Sequence, residues 1–391
     1  SDVYKRQMLR GDSVPSFKHD RVTPAQIIIL GFLLLIFTGA VLLMLPFSTQ
    51  EPGGASFGDA LFTATSATCV TGLVLHDTAL YWSPFGQLVI LLLIQVGGMG
   101  VVTIAVAIFM FAGKRIGLKQ RWVMQESISA PQVGGIVRMT GFILKTAFLI
   151  EGIGALLLAL RFCPQFGLGR GLWYAVFHSV SAFCNAGFDL MGVNSPFSSL
   201  TDYVGDPLVS NVIAFLIIIG GVGFLTWNDI REHKLHFRRY RLQSKLILTT
   251  TLALILTGLL FFLLYEFEQG QWVDMSLWER INAAFFQSVT PRTAGFNTVD
   301  LTGLSQPAQL LIILLMLVGG SPGSTAGGFK TTTLAVMLLG IRAVFRHKER
   351  PQCFGRRIAD ESIRNASAIF LLYLLLFLTG GILICCIDGV P

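Results

Sequence analysis

Long apolar stretches alternate with short polar connections along the whole chain. Seven of them reach the roughly 18 residues from which a membrane-spanning helix is predicted. They lie near residues 25–47, 84–112, 140–162, 207–227, 246–265, 308–341 and 366–387. Any single run could instead be a helix buried in the core of a large soluble protein. That alternative would have to apply to all seven runs. The pattern therefore predicts an all-α polytopic membrane protein.

Shorter apolar segments are interspersed with these runs in a repeating order. Residues 57–68, 172–183 and 279–290 are each long enough for about half a membrane as a helix. Each segment leads into a loop that ends on a glycine, and these glycines are separated by 115 and 108 residues. The three loops consist of Val70, Thr71 and Gly72; Asn185, Ala186 and Gly187; and Thr293, Ala294 and Gly295. The sequence thus predicts a unit of span, half-span, glycine loop and span that occurs three times.

The repeats predict how the chain is divided. The parts are an N-terminal cytoplasmic segment (1–24), repeat 1 (25–112), repeat 2 (113–232), repeat 3 (233–347) and the start of a fourth repeat (348–391). The same spacing places a fourth glycine loop at about residue 415, beyond Pro391. We therefore expect a C-terminally incomplete chain rather than a ring of three repeats.

Charge is sparse and unevenly placed. Only 13% of the residues are charged, against about a quarter in soluble domains. Lys and Arg cluster in alternate connections, within residues 5–21, 114–138, 231–245 and 342–364. This is the positive-inside pattern, which predicts a cytoplasmic N-terminus and the same orientation for all three repeats. The net charge of +7 therefore indicates contact with a lipid bilayer rather than with nucleic acid.

The loop composition suits a monovalent cation. Non-helical backbone at membrane depth survives where it lines a cavity, and glycine lets a loop turn its carbonyl oxygens inward. Rings of such oxygens can replace the hydration shell of K⁺. None of the loops holds a carboxylate, which argues against divalent cations. Tight helix packing is the alternative role for membrane glycines, and it is favoured for the pairs Gly97-Gly98 and Gly220-Gly221.

The second run of repeat 3 carries a glycine-rich interruption. Its residues are Gly319, Gly320, Ser321, Pro322, Gly323, Ser324, Thr325, Ala326, Gly327, Gly328 and Lys330. Proline and glycine disfavour helix, so an unwound segment is predicted below the loops, where it can act as a gate. A phosphate-binding P-loop is the alternative, but Phe329 separates Gly328 from the lysine.

Ionisable residues inside the runs leave further functions open. Arg292 is expected to turn behind its loop, toward backbone or a carboxylate, and His178 to have a packing role. Glu151 lies within a span, where a coupling-ion role and a structural hydrogen bond are both possible. A secondary cation transporter with broken-helix midplane sites is therefore the alternative function. The sequence shows no activated nucleophile or metal-ligand cluster, so no enzyme is predicted.

Four segments carry a resemblance to a known family: TSATCVTGLVLHD, SVSAFCNAGFDL, SVTPRTAGFNTVDL and GGSPGSTAGGFKTTT. They resemble the Trk/Ktr/HKT superfamily of potassium-transporting membrane subunits, most closely the Ktr-type translocating subunit. The resemblance implies a pseudo-fourfold arrangement of span, pore helix, filter loop and span around one pore. It also implies that Gly72, Gly187 and Gly295 are filter glycines and that Gly319–Lys330 is an intramembrane gating loop. In this superfamily a glycine in the first loop accompanies potassium permeation.

The resemblance further implies partners and location. Family members form homodimers in the cytoplasmic membrane of bacterial cells and bind a cytoplasmic ring of nucleotide-binding regulatory subunits. The transported ion would be K⁺, with Na⁺ as a possible activator, and no covalent cofactor is expected.

Overall fold

The computed structural model describes residues 23–111, 116–128, 135–234, 236–347 and 351–388. Most of the N-terminal segment predicted to lie in the cytoplasm falls outside these residues. The helices of repeats 1 and 2 are α1 (Pro24–Leu43), α2 (Phe57–Cys69), α3 (Thr78–Tyr81), α4 (Pro84–Met99), α5 (Val101–Phe111), α6 (Leu118–Ser127), α7 (Ile136–Phe166), α8 (Leu168–Phe183), α9 (Pro207–Val222) and α10 (Phe224–His233). They are followed by α11 (Leu242–Phe261), α12 (Leu277–Val289), α13 (Gln306–Leu317), α14 (Thr331–Phe345) and α15 (Asp360–Asp388).

Short elements connect these helices. Single 3₁₀ turns lie at Met191–Val193, Thr201–Tyr203, Phe237–Arg239 and Gly270–Trp272, and a π turn at Phe262–Glu266 prolongs α11. A two-stranded hairpin pairs β1 (Gln352–Cys353) antiparallel to β2 (Arg356–Arg357) before α15.

Local sequence explains where the helices begin. Proline, which lacks the N–H that an N-terminus leaves unpaired, starts α1, α4 and α9. The short helices α2 and α12 begin after serines: Ser56 Oγ accepts from Asp59 N, and Ser276 forms a reciprocal capping box with Glu279. Such caps satisfy backbone N–H groups that the first turn of a helix leaves unpaired.

Helix length and apolarity confirm a polytopic membrane protein. Within the described ranges, α1, α7, α11 with its π turn, and α15 are each long and apolar enough to cross a bilayer. If each of the bent pairs α4–α5 and α9–α10 is counted as one span, the number of spans rises to 6. The three half-spans predicted from the sequence are the short helices α2, α8 and α12.

The second runs of repeats 1 and 2 depart from the prediction of single straight spans. The first bends by 95° between α4 and α5, and the second by 94° between α9 and α10. The residue at each bend is a glycine, Gly100 at φ 85° and Gly223 at φ 96°. L side chains rarely adopt these angles. Interruption of the second run is therefore common to all three repeats, and in repeat 3 it extends over the residues between α13 and α14.

The first two short helices pack between the two runs of their own repeats, whereas the third packs against the first run of its repeat and against α9 of repeat 2. α2 lies against α1 and α4, α8 against α7 and α9, and α12 against α11. One apolar core joins repeats 1 and 2 and reaches Phe296 of repeat 3, while a second surrounds Phe262 and Trp272. This packing brings the C-terminal ends of the short helices, and the loops that follow them, toward one another.

Candidate functional site

The three glycine loops share one backbone conformation. In each loop the glycine has a positive φ, and so does the non-glycine residue two positions before it. The pairs are Val70 (57°) and Gly72 (80°), Asn185 (57°) and Gly187 (72°), and Thr293 (67°) and Gly295 (84°). Non-glycine residues adopt such angles only where the surroundings hold them there. The same conformation in all three loops supports the repeat predicted from the sequence.

The loop glycines are in direct contact from one repeat to the next. A Cβ atom on Gly72 would lie 2.6 Å from the carbonyl oxygen of Ala186, and one on Gly187 would lie 2.5 Å from that of Ala294. A Cβ on Gly295 would lie 3.3 Å from the Cα of Gly187. The predicted site residues of all three repeats are thus brought together, and no side chain fits between neighbouring loops.

A hydroxyl group in or directly after each short helix holds its loop. Ser66 Oγ donates to Leu73 O, Ser181 Oγ to Phe188 O and Thr290 Oγ1 to Phe296 O, at 2.7, 2.7 and 2.5 Å. In each repeat the acceptor is the carbonyl of the residue that follows the glycine. The sequence analysis missed these hydroxyls, although a Ser or Thr five or six positions before each glycine was a visible signal.

The glycine pairs of the second runs lie against the ends of the short helices. A Cβ on Gly97 would lie 2.0 Å from Thr68 O, and one on Gly220 would lie 2.0 Å from Phe183 O. The tight packing predicted for these pairs is therefore observed. The C-terminal end of a helix carries a partial negative charge, so the loops lie at the negative ends of three helices.

Hydrogen bonds between the connections that follow the glycine loops fix the repeats relative to one another. Asp77 Oδ2 accepts from Phe197 N at 2.8 Å, joining repeats 1 and 2, and Leu200 N donates to Asn297 O at 2.8 Å, joining repeats 2 and 3. Inside repeat 2, His178 has a partner at each ring nitrogen: Tyr174 O at 2.7 Å from Nδ1 and Leu190 N at 3.3 Å from Nε2. Because a carbonyl oxygen only accepts, Nδ1 carries the proton. His178 thus has the structural role expected from the sequence.

The glycine-rich interruption, Val318–Lys330, folds directly beneath the second and third loops. Thr325 Oγ1 lies 2.9 Å from Phe183 O and 3.3 Å from Asn185 Oδ1. A Cβ on Gly328 would lie 3.3 Å from Thr293 Cγ2. The unwinding predicted for this run is therefore present, and it brings the predicted gate residues into contact with predicted filter residues.

Charged side chains near the loops turn away from them or are held by backbone. Lys330 Nζ donates to the carbonyl oxygens of Ala326 and Gly327 at 2.9 and 3.3 Å. Arg292 is buried, and its Nη2 lies 3.4 Å from Thr251 Oγ1 on α11. Arg292 therefore extends behind its loop, where its observed partner is a hydroxyl rather than the expected backbone group or carboxylate. Glu151 accepts from Gln95 Nε2 at 3.0 Å, a contact that fits the structural alternative.

The three loops differ in exposure. Asn185, Ala186 and Gly187 are buried between the neighbouring loops, whereas Thr71 and Gly295 are exposed. The loops thus form an arc with the second loop at its centre. One side of the arc is not covered by the part of the chain that the structure describes.

Repeated spans, short half-membrane helices and converging glycine loops define an integral membrane protein of the transporter and channel class. The chain belongs to the TrkH family of cation transport proteins, which it matches over residues 12–390. The family assignment agrees with the resemblance seen in the sequence and identifies a transporter rather than an enzyme.

Curated relatives and a solved structure support this assignment. The chain is 40% identical to the potassium/sodium uptake protein NtpJ of Enterococcus hirae over 95% of this chain and 81% of that protein. It is 42% identical to the Ktr system potassium uptake protein B of Bacillus subtilis, over 92% and 79% of the two chains. The crystal structure of the potassium transporter TrkH from Vibrio parahaemolyticus superimposes with a TM-score of 0.71 at 19% identity, covering 94% of this chain and 73% of that one. The last comparison establishes the fold.

Proposed function

We propose that this chain carries K⁺ into the cell across the cytoplasmic membrane, through a path lined by the three glycine loops. The observation that carries the proposal is the repeated left-handed backbone of the loops together with their mutual contact at Gly72, Gly187 and Gly295. Alternating backbone of this kind can aim successive carbonyl oxygens to one side of a loop. Carbonyl oxygens in a ring are the ligands that replace the water around K⁺.

Two further features support a filter for a monovalent cation. The loops follow the C-terminal ends of three short helices, whose partial negative charge attracts cations. The relatives are named as potassium and potassium/sodium uptake proteins, and the first loop ends on Gly72, as the family resemblance requires for potassium. Sodium as an activator forms part of the proposal.

The segment Gly319–Lys330 of the glycine-rich interruption is the proposed gate. It lies immediately beneath Asn185 and Thr293, and its own contacts are hydrogen bonds and close glycine packing rather than helix. We further propose that the chain acts as a homodimer with its N-terminus in the cytoplasm. A ring of nucleotide-binding regulatory subunits would bind its cytoplasmic face. The fourth glycine loop expected near residue 415 stays a prediction, and it would close the exposed side of the arc.

The substitution Gly72→Ser tests the filter. The new Cβ would lie 2.6 Å from Ala186 O at a residue whose φ is 80°, so the loop must shift and its oxygens with it. Selectivity for K⁺ over Na⁺ in flux measurements on proteoliposomes should fall by about tenfold, equivalent to a change of about 1.4 kcal/mol in relative binding.

Gly152→Ser is the matched control. Gly152 is exposed on the spanning helix α7, and a Cβ there meets no atom within 4 Å. Selectivity should be unchanged in this variant. Equal permeability ratios for Gly72→Ser and the control, at equal protein incorporation, would contradict the assignment of the loops as a filter.

A further inference from the structure

A basic cavity opens at the N-terminal end of α7. The glycine loop of repeat 2 follows α8, which begins at the other end of α7. The cavity has a volume of about 730 Å³ and is lined by residues of α6, α7 and α10. We propose that this cavity binds the phosphate group of an anionic ligand. Four cationic side chains line it: Arg121, Arg138, Lys145 and Arg231.

The charge of the cavity is not balanced from within. Among the residues that the structure describes, those lining the cavity include no Asp or Glu. The ion pairs among described residues involve His76, Arg161 and Arg241, and none involves a cation of the cavity. Like charges that face one cavity repel one another and raise the local concentration of anions. A bound anion would relieve that repulsion.

The cations are arranged to converge. Arg138 and Lys145 are seven residues apart on α7 and so lie on the same face of the helix, about two turns apart. Arg231 comes from α10, and its guanidinium carbon is 4.7 Å from the centre of the Phe142 ring. Stacking on an aromatic face orients a guanidinium group and leaves its N–H edge available. That edge can bind two oxygens of one phosphate.

Size and depth indicate the kind of ligand. The volume lies within the range of about 300–1,000 Å³ typical of small-molecule sites, which is more than a bare phosphate ion needs. Beyond Lys145, the exposed side chains of α7 become apolar, with Phe148 56% and Leu149 63% exposed. The cavity therefore lies where a charged surface meets a lipid-facing one. Phosphate at this depth has two sources, an anionic phospholipid headgroup and a soluble phosphate compound.

Two helices that line the cavity also contact the interrupted segment. At the start of α10, Phe224 N donates to Gly323 O at 2.7 Å. Immediately after α6, Ile128 O would lie 2.7 Å from a Cβ on Gly323. A ligand that draws Arg121 and Arg231 together therefore acts on the helices that hold Gly323. This consequence rests on the proposed gating function, whereas binding itself does not.

Binding is tested on the purified full chain in a zwitterionic detergent. Native mass spectrometry compares phosphatidylglycerol with phosphatidylcholine, and calorimetry measures inorganic pyrophosphate. The double variant Arg138→Gln/Lys145→Gln should weaken binding of the preferred anion by about tenfold or more, because it removes two of the four cations that attract the phosphate. Arg231→Lys keeps the charge but loses the planar fork, so a smaller loss of about threefold is expected.

Arg170→Gln is the matched control, since Arg170 is an exposed cation at the start of α8, which follows the end of α7 opposite the cavity. Preference for phosphatidylglycerol that is lost only in the cavity variants identifies a lipid headgroup. Pyrophosphate binding that is lost in the same way identifies a soluble ligand. Equal affinity of the wild-type chain and the double variant for both probes would overturn the proposal. So would cavity variants that lose only the binding of a regulatory protein.

The binding assays contain no ion gradient, so their failure is distinguishable from failure of the proposed transport function. If a cavity variant loses phosphate binding but keeps its ion flux, the proposed link to Gly323 is refuted. The proposed binding site is then retained.

Discussion

The second runs of the three repeats are interrupted in two different ways. In repeats 1 and 2 a single residue, Gly100 or Gly223, turns the chain by about a right angle and helix resumes at once. In repeat 3 the backbone leaves the helix at Val318 and returns to it only after Lys330. The difference is largely one of hydrogen bonding.

The short bends keep nearly all of their backbone hydrogen bonds within the helices. Beyond Gly100, Ile104 N already donates to Gly100 O, and beyond Gly223, Trp227 N donates to Gly223 O. Each bend therefore has few groups to satisfy elsewhere. The exception is Phe224 N, directly after Gly223, which donates to Gly323 O of the long interruption.

The long interruption depends on a neighbour. Only part of its backbone pairs internally, as when Gly319 N donates to Phe329 O at 2.9 Å. Ser321 N donates instead to Gly221 O, and Thr325 N to Gly220 O, both on α9 of repeat 2. A segment held by such contacts can change its conformation without unfolding a span, which is the property that a gate needs.

Deleting Ser321–Gly327 should have the largest effect. The Gly319 and Gly328 backbones are already in contact, since a Cβ on Gly328 would lie 2.9 Å from Gly319 Cα. Gly320, whose N donates to Gly327 O at 3.2 Å, is therefore close enough to be joined to Gly328 with little displacement of α13 and α14. Basal K⁺ flux should rise by about tenfold, which corresponds to about 1.4 kcal/mol in favour of the open path. Unchanged flux at an equal amount of protein in the membrane would count against a gate here.

Comparing Gly223→Ala with Gly100→Ala should separate the two kinds of bend. Both residues have a backbone conformation that costs a non-glycine residue about 1–3 kcal/mol, so both variants should unfold at lower temperature in detergent. A Cβ on Gly223 would also lie 2.9 Å from Pro322 O, whereas one on Gly100 meets only hydroxyl oxygens, the nearest at 3.5 Å. Only Gly223→Ala should therefore alter basal flux. Equal changes in flux would show that the long interruption does not depend on the bend of repeat 2.

Thr325→Val should give the smallest effect. Valine keeps the shape of the side chain but removes the hydroxyl that contacts Phe183 O and Asn185 Oδ1. A loss of about 1 kcal/mol in the stability of the interrupted segment is expected, seen as a modest rise in basal flux. In the control Thr257→Val, the lost hydroxyl bonds only to Ala253 O of its own exposed helix surface. A larger change in the control than in Thr325→Val would contradict the predicted anchoring.

The repeat and its loops could be predicted from the sequence because they follow from local composition. Half-membrane apolar segments ending in glycine identify α2, α8 and α12 to within a few residues at either end. The unwinding before Lys330 also follows locally, from the density of Gly and Pro. The family and its transporter class came from the same motifs.

Other features could not be obtained in this way. The bends at Gly100 and Gly223 lie within runs whose average apolarity is that of a straight span, so the hydropathy pattern does not detect them. A third glycine two residues after each of the pairs Gly97-Gly98 and Gly220-Gly221 was the missed signal. The contacts between loops, and the convergence of Arg121, Lys145 and Arg231, join residues far apart in the chain. Only tertiary structure reveals them.

The close approach of Gly97 to Thr68 O and of Gly220 to Phe183 O has a consequence for the order of assembly. Both contacts join residues of a single repeat, so each of the first two loops can become fixed as soon as its own second run is inserted. Contacts at short sequence separation generally form before distant ones. The counterpart in repeat 3, Gly319, approaches Gly327 O of its own interruption instead. The third loop therefore lacks this early contact, and its final shape should be acquired last, when it meets the finished second repeat.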